Sequence, residues 1–323
     1  MTKDDILKEL MAAEGRYISG AALADVLHIS RTAVWKAIKQ LRGEGYPIES
    51  VTKRGYRLMP GADVLSEAMI RKYLDHRELR LRVYEQIDST NTALKTLAAA
   101  GEEAGIALVA AEQTAGRGRM GRSFYSPPGT GLYLSLLLRP AISAAQAGHL
   151  TACAAVAVAE VLEEFTGRRT QIKWVNDVLL DGKKVCGILT EAALDCESGM
   201  LHYAVVGVGI NVSVPAGGFP AELRDVAGAV FDAAPPPELR SRLAAAVLDK
   251  LIDRCDPEAS EQCRQAYRDR SLVLGRAVSI LRPGCEPVPA AAIDLDRDYA
   301  LIVRMPDGSL QRINSGEVSI RPR

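Results

Sequence analysis

Three short runs in this 323-residue chain combine residue types that do chemistry. The first is Gly116-Arg117-Gly118-Arg119-Met120-Gly121-Arg122. Formally it is G-x-G-x-x-G, the fingerprint of a dinucleotide-binding turn. A predicted strand precedes it, but Ser126-Pro127-Pro128-Gly129 and a further strand follow, so no helix N-terminus faces a pyrophosphate. Nor does an acid stand about twenty residues on, where Leu138, Arg139 and Pro140 lie. The dinucleotide reading fails. What remains is a loop whose glycines allow close backbone approach, with fixed positive charge on Arg117, Arg119 and Arg122. Such a loop suits a phosphate gripped as it reacts, and it can order around a ligand. The alternative is a basic surface loop.

The second run is Lys173-Trp174-Val175-Asn176-Asp177, placed where a strand ends. A tight turn at Asp181-Gly182 and a return strand through Lys184, Val185, Cys186 and Gly187 follow. Asn176 and Asp177 there suit a metal or a nucleotide, and Lys184 can set one ammonium over a carbonyl or phosphate; Asn-Asp is also a common turn. The third run, Val205-Val206-Gly207-Val208-Gly209-Ile210-Asn211-Val212, reads as a buried strand whose glycines permit close packing or ligand approach.

These runs need elements to carry them. Between 66 and about 270, helical and strand-like segments alternate as in a mixed α/β domain. Strands are expected over 81–87, 106–112, 132–138, 171–174, 185–190 and 204–210, and helices over 91–100, 145–165 and 238–253. The tail changes character, with short strands over 277–281, 291–295, 300–304 and 311–313. Ahead of the α/β region, Ile6, Leu7 and Leu10 predict a first helix stopping near Gly15, and 19–27 a second. Ser30 caps a third, with Val34, Ile38 and Leu41 on one face and Arg31, Thr32, Lys36, Lys39 and Arg42 on the others. Gly43 and Gly45 end it, and strands over 46–50 and 55–58 flank a basic hairpin tip, Thr52-Lys53-Arg54-Gly55. Met59-Pro60-Gly61-Ala62 reads as a linker, and Ala233-Ala234-Pro235-Pro236-Pro237 as a short loop.

Charge sharpens the reading of the N-terminal unit. Residues 1–28 carry a net −2, whereas 29–59 carry seven basic residues against two acidic ones, a net +5. The positive charge is confined to the third helix and the hairpin, the parts of a winged helix-turn-helix that touch DNA. A solvated face on a protein-interaction module is the alternative.

Over the whole chain, forty Lys+Arg balance forty Asp+Glu, so no global field favours nucleic acid or an anionic membrane. Hydrophobic residues at 48 % and charged ones at 25 % exclude disorder and a disulfide mini-protein. Cys153, Cys186, Cys196, Cys255, Cys263 and Cys285 form no C-x-x-C, against a zinc ribbon or redox pair, and read as reduced, partly buried residues. His28, His76, His149 and His202 are isolated, so no H-E-x-x-H site exists. The N-terminus lacks a signal-peptide core, and the Ala-rich stretch 150–162 is too short to span a bilayer. A cytoplasmic protein with no membrane partner is expected.

Asp88-Ser89-Thr90-Asn91, Glu112-Gln113-Thr114-Ala115-Gly116-Arg117-Gly118-Arg119, and Ser126-Pro127 through Leu132-Tyr133-Leu134-Ser135 resemble biotin–protein ligases in order and spacing. So do Lys173-Trp174-Val175-Asn176-Asp177, Lys184 with Gly187-Ile188-Leu189, and Gly207-Val208-Gly209-Ile210-Asn211-Val212. Ser315-Gly316-Glu317-Val318-Ser319-Ile320-Arg321 is similar to the family's closing motif. With a winged helix in front, the whole chain resembles the bifunctional biotin ligases that also repress the biotin operon.

The resemblance implies a multidomain α+β chain: a winged helix-turn-helix over 1–62, a mixed α/β ligase domain over 63–270, and a small SH3-like β-barrel over 271–323. It implies a reaction in which biotin and ATP give biotinyl-5′-AMP, and a lysine of the biotin carboxyl carrier protein of acetyl-CoA carboxylase then takes the biotin. Carried over by motif, Ser89, Thr90, Asn91, Gln113, Arg117, Gly118, Arg119, Lys184 and Gly187 meet biotin. Arg119, Arg122, Trp174, Asn176, Asp177, Lys184 and Asn211 meet ATP or the adenylate, and Asp177 meets Mg2+. Lys184, Arg117 and Arg119 are the expected catalytic residues, with Lys184 the main electrostatic one. Ser30, Arg31, Thr32, Lys36, Lys39, Lys53 and Arg54 are expected on operator DNA, bound as a homodimer through a sheet edge of the ligase domain, with biotinyl-5′-AMP as corepressor. A second loop, 212–220, is expected to order over the adenylate. The chain departs from the family pattern at Val175, where proline is usual and whose absence should loosen the turn presenting Asn176, and at Phe124 and Met120. A lipoate–protein ligase and a repressor without catalysis are the competing readings; the first lacks such an arginine loop, and intact Arg117, Arg119 and Lys184 oppose the second.

Overall fold

A computed structural model describes residues 2–59, 63–143, 146–195, 197–232, 236, 238–256, 259–281, 286–314 and 317–320. The expected linker at Pro60, Gly61 and Ala62, most of the loop 233–237, Cys196, Cys285, and Ser315, Gly316 and Arg321 of the closing motif lie outside the described residues. The chain forms two compact units, 1–74 with 234–245, and 75–233 with 246–323.

In the first unit, α1 (Thr2–Ala12), α2 (Gly20–Val26) and α3 (Arg31–Gly43) precede a hairpin of β1 (Ile48–Val51) and β2 (Gly55–Leu58), then α4 (Glu67–Tyr73). Ser19 and Ser30 cap α2 and α3, their hydroxyls accepting from the N–H groups of Ala22 and Ala33. The apolar stripe read from the sequence is the core: Ile6, Leu7 and Leu10 pack with Leu23, Val34, Ile38 and Leu41. Gly55 locks the wing onto this core. Its φ is +104°, and a Cβ there would lie 2.1 Å from the Ile18 carbonyl oxygen.

The second unit is built on a seven-stranded sheet in the order β3-β4-β5-β9-β8-β7-β6. Its strands are β3 (Arg80–Ile87), β4 (Ile106–Gln113), β5 (Gly131–Leu138), β6 (Thr170–Lys173), β7 (Asp177–Leu180), β8 (Lys183–Leu194) and β9 (Leu201–Asn211). β3 and β4 are parallel and the remaining pairs antiparallel. Helix α5 (Thr90–Ala99) bridges β3 and β4, and the long α6 (Ala147–Thr166) buries residues on all its faces, including Leu150, Cys153, Val156 and Val161. Among the described residues, no helix is long and apolar enough to cross a membrane. In chain order follow α7 (Leu239–Cys255), whose residues up to Ala245 belong to the first unit, and α8 (Ser260–Arg270), then five antiparallel strands: β10 (Ala277–Leu281), β11 (Val288–Leu295), β12 (Leu301–Arg304), β13 (Leu310–Ile313) and β14 (Glu317–Ile320). Their order, β13-β12-β11-β10-β14, leaves β13 and β14 at opposite edges, so this β-rich part forms no closed barrel among the described residues.

Two expectations change. Asp177 does not sit in a turn past a strand end: it opens β7, which returns against β6, so Asp181-Gly182 joins β7 to β8. The turn holding Val175 is not loose either, since the Asn176 carbonyl accepts from Ile188 N–H and the Asn176 side-chain amide donates to the Ile188 carbonyl.

Candidate functional site

A cleft lies in the second unit and is lined from α5, the loop after β4, and β6 through β9. Ser89 caps α5, accepting from Thr92 N–H. Thr90 N–H donates to Gln113 Oε1 at 2.9 Å, which ties the start of α5 to the end of β4. Asn91, 4 % exposed, donates to the Leu189 carbonyl and to Glu191 Oε2. These three residues and Gln113 form a polar floor of the cleft.

The arginine loop closes as a small hairpin: Phe124 N–H donates to the Gly116 carbonyl and Gly118 N–H to the Arg122 carbonyl. Gly116 is needed for this closure, since a Cβ would sit 2.5 Å from both the Phe124 oxygen and Ser126 Oγ. Arg117, Gly118, Arg119 and Arg122 all line the cleft. Arg119 donates to Asn176 Oδ1 at 2.9 Å, and Arg117 lies 3.3 Å from Glu191 Oε1.

Opposite the loop, Lys184 Nζ is 2.7 Å from Asp177 Oδ1. The Lys184 backbone is fixed as well, its N–H donating to the Val226 carbonyl and its carbonyl accepting from Gly228 N–H. Gly187 and Gly209 face each other across β8 and β9, and Phe124 lies against both; a Cβ on Gly209 would be 2.5 Å from that ring. The aromatic departure at Phe124 is therefore a wall of the cleft.

Two of the expected nucleotide contacts, Asn211 and Trp174, are held by other parts of the protein. Asn211 does not line the cleft. It stands beyond the floor opposite Gly131, and its amide donates to the Gly228 carbonyl, so it supports the segment that holds Lys184. Trp174 does line the cleft, but its indole N–H is bonded to the Tyr299 carbonyl, leaving only its ring surface. The segment 212–220 contributes no lining residue. Motif reading missed Glu191 and Lys95 and gave no role to buried Ser135, the last residue of a motif run; only sheet register and the helix packed on it bring them together.

The family model described as "Biotin/lipoate A/B protein ligase family" matches residues 83–211, "HTH domain" 2–57, and "Biotin protein ligase C terminal domain" 273–321. The "Bifunctional ligase/repressor BirA" of Bacillus subtilis is 42 % identical over 234 residues, covering 72 % of this chain and 71 % of that protein. The chain belongs to the biotin/lipoate A/B protein ligase family. A "Biotin--[acetyl-CoA-carboxylase] ligase" of Mycobacterium tuberculosis is 34 % identical, covering 77 % of this chain and 96 % of that one. Among solved structures, the biotin protein ligase of Aquifex aeolicus in complex with biotin and ATP superposes with a TM-score of 0.61 at 30 % identity, covering 76 % of this chain and 99 % of that one.

This ligase-family chain carries its second candidate surface on α3 and the wing. Arg31, Thr32, Lys36 and Lys39 are exposed on α3, opposite the buried Val34, Ala37, Ile38 and Leu41. Trp35, 53 % exposed, lies among them with Lys39 over its ring, a residue the charge pattern did not single out. Lys53 and Arg54 are exposed at the wing tip, Arg54 stacked 4.2 Å over Tyr17. Ser30 caps the helix, and Arg42 donates to the Ile48 carbonyl, which leaves its charge serving the fold.

Proposed function

We propose that this chain is an ATP-dependent biotin–protein ligase that makes biotinyl-5′-AMP, transfers biotin to a lysine of a biotin carboxyl carrier protein, and represses biotin genes with the adenylate as corepressor. The observation that carries the reading is one cleft in which Arg117, Arg119 and Lys184 face a polar floor, in a chain that also bears a basic winged helix. A carboxylate oxygen of biotin attacks the α-phosphorus of ATP and pyrophosphate leaves. A carrier lysine amine then attacks the acyl carbon and AMP leaves.

Ser89, Thr90, Asn91 and Gln113 hold biotin, with Arg117 beside its carboxylate. Lys184, Arg119 and Arg122 stabilise the negative charge that develops on phosphorus, an effect worth ~10²–10³ in rate for one such donor. Lys184 is pre-aimed by the 226–228 segment and exchanges Asp177 for phosphate, so its ammonium moves from one anion to another. Asp177 is the one carboxylate lining the cleft, and no cluster of three or more metal-ligating groups exists among the described residues. This fits Mg2+ arriving with the phosphates, because that ion needs only one or two protein carboxylates. When bound, it would neutralise phosphate charge, held by Asp177 with Asn176 alongside.

We take the domains as 1–62, 63–270 and 271–323, the last SH3-like, with the bulge between Ala292 and Asp294 supporting its curvature. We take the protein to be cytoplasmic, and operator DNA to be bound by a homodimer through Ser30, Arg31, Thr32, Lys36, Lys39, Lys53 and Arg54. One winged helix reads one half-site. Strand β3, paired along one side only among the described strands, supports a pairing edge in the second unit. Biotin-dependent pyrophosphate release from ATP, with lipoate as the comparison, tests the chemistry. Operator binding without ligand, with biotin and with biotinyl-5′-AMP tests the switch. Release with lipoate alone refutes the first part, and equal operator affinity in all three states refutes the second.

A further inference from the structure

Glu191, on β8, belongs to none of the motif runs, yet it meets three residues from two segments, Asn91 and Lys95 on α5 and Arg117 in the arginine loop. Its side chain is 18 % exposed. Oε1 is 2.6 Å from Lys95 Nζ and 3.3 Å from Arg117 Nη2, and Oε2 accepts from Asn91 Nδ2 at 3.0 Å. Behind Asn91 the polar contacts continue. Buried Ser135 donates to Asn91 Oδ1 at 2.6 Å and stands 2.7 Å from Thr90 Oγ1; Thr90 donates to Gln113 Oε1, and Gln113 donates to Ser126 Oγ. One connected set of polar groups therefore runs from Arg117 at the mouth of the cleft, through the floor, to the far end of the arginine loop.

The bonds around Glu191 are unequal. Lys95 and Asn91 hold the carboxylate on short bonds, whereas Arg117 is 45 % exposed and reaches it at 3.3 Å. Burial alone would push the Glu191 carboxyl up, but the bonds from Lys95 and Asn91 and the charges of Lys95 and Arg117 outweigh it and hold it below the ordinary glutamate value. Glu191 stays ionised. Lys95, Arg117 and Glu191 together carry one net positive charge, so Arg117 can stay latched and still face an anionic ligand.

We propose that Glu191 is a positioning residue that latches the arginine loop through Arg117 and couples that latch to the polar floor under the ligand, so that it governs retention of the adenylate. The proposal rests on the ligase reading above, in which that floor holds biotin. With the latch formed, the loop stays down over the reactive mixed anhydride and excludes water; without it, the intermediate escapes to react with any amine.

The test uses the full chain. Glu191→Gln keeps the size but removes the charge and replaces one acceptor oxygen by an NH2 donor. The variant is expected to raise the KM for biotin and the release rate of biotinyl-5′-AMP by about tenfold, the loss of one charge-assisted pair. The kcat of pyrophosphate release should stay near wild type, and serum albumin in the assay should become labelled. In an Arg117→Gln background the same change should add less than about twofold, because the two residues act as a pair. Release at the wild-type rate, or an equal effect of E191Q in both backgrounds, overturns the proposal. A loss of kcat together with a lower unfolding temperature, without faster release, also overturns it, since that is the signature of a purely structural residue. Should E191Q not fold, R117Q alone decides: Arg117 is on a half-exposed loop, and adenylate release at the wild-type rate refutes the latch. A wild type with no biotin-dependent pyrophosphate release refutes instead the ligase reading, before any variant is compared.

Discussion

Gly207→Ala puts the floor of the cleft under a calculable stress. A Cβ on Gly207 would lie 2.0 Å from Asn91 Oδ1, 2.8 Å from its Cγ and 3.0 Å from its Nδ2. Carbon contacts are normally near ~3.5 Å, so the amide has to withdraw by more than about 1 Å. It has nowhere easy to go. Asn91 is buried and already bonded to Ser135, Leu189 and Glu191. Overpacking of this kind costs ~1–3 kcal/mol, and one buried polar group left without its partner adds ~1–3 kcal/mol. Taking about 3 kcal/mol in all, an unfolding temperature roughly 6–12 °C lower is expected for a unit of this size. The misplacement of about 1 Å should also cost on the order of 10²-fold in biotin kcat/KM. The KM for ATP should move far less, because Asp177 pairs with Gly187 and Gly187 with Gly209, further along the sheet, and the Lys184 side chain reaches Gly187 rather than Gly207. Thermal unfolding and pyrophosphate release at varied biotin and varied ATP measure all three quantities. Gly209→Ala is the comparison: its Cβ meets the Phe124 ring, which can rotate, so its cost should be smaller. A Gly207→Ala protein with biotin kcat/KM within about threefold of wild type would show that the Asn91 contact has no part in ligand binding.

Lys184→Ala should lose ~10²–10³ in biotin-dependent pyrophosphate release with the fold retained, and near-normal release would remove Lys184 from the chemistry. His76 tests a pH effect remote from the cleft: its ring nitrogens are 3.0 Å from Asp253 and 3.0 Å from Glu78, and the bond from Asp253 leads in raising its pKa despite some burial. The charged ring is the stabilising form, so the advantage of wild type over His76→Gln should be full below the ordinary histidine value of about 6.5 and fade as pH rises through the higher folded value. Unfolding temperatures of the two proteins across that window check the sign; an advantage that grows with pH would contradict it.

Apolar periodicity carried most of the fold. Ile6, Leu7, Leu10, Val34, Ile38 and Leu41 announce a helical core, and the apolar runs in β4, β5 and β9 announce strands buried on both faces. The elements that escaped had little of that signal. In α8, SEQCRQAYRDR, mostly polar residues surround Cys263 and Tyr267, its two fully buried side chains, so no stripe stands out. Strand β7 is four residues long, and its first, Asp177, sits in a motif that draws attention to chemistry. Asn211 stands outside the cleft lining for a related reason. It follows Gly207 and Gly209 on the same strand face, but register carries it one pair past the floor, opposite Gly131, and register is not written in one strand.

The site itself was legible in its cations and illegible in what holds them. Arg117, Arg119 and Lys184 announce themselves by spacing, because a loop that grips anions needs fixed charge close to glycine. Their partners come from elsewhere in the fold: Glu191 on β8 for Arg117, Asn176 before β7 for Arg119, and Asp177 at the start of β7 for Lys184. Each of these cations already has an oxygen partner before an anion arrives. A partly buried guanidinium or ammonium with no partner would carry a desolvation penalty. A ligand carboxylate or phosphate that replaces a protein oxygen avoids that penalty and leaves the cation where the reaction needs it. The pairing is therefore part of the site's preorganisation, and it follows from strand register and loop closure, which place residues far apart in the chain on one cleft.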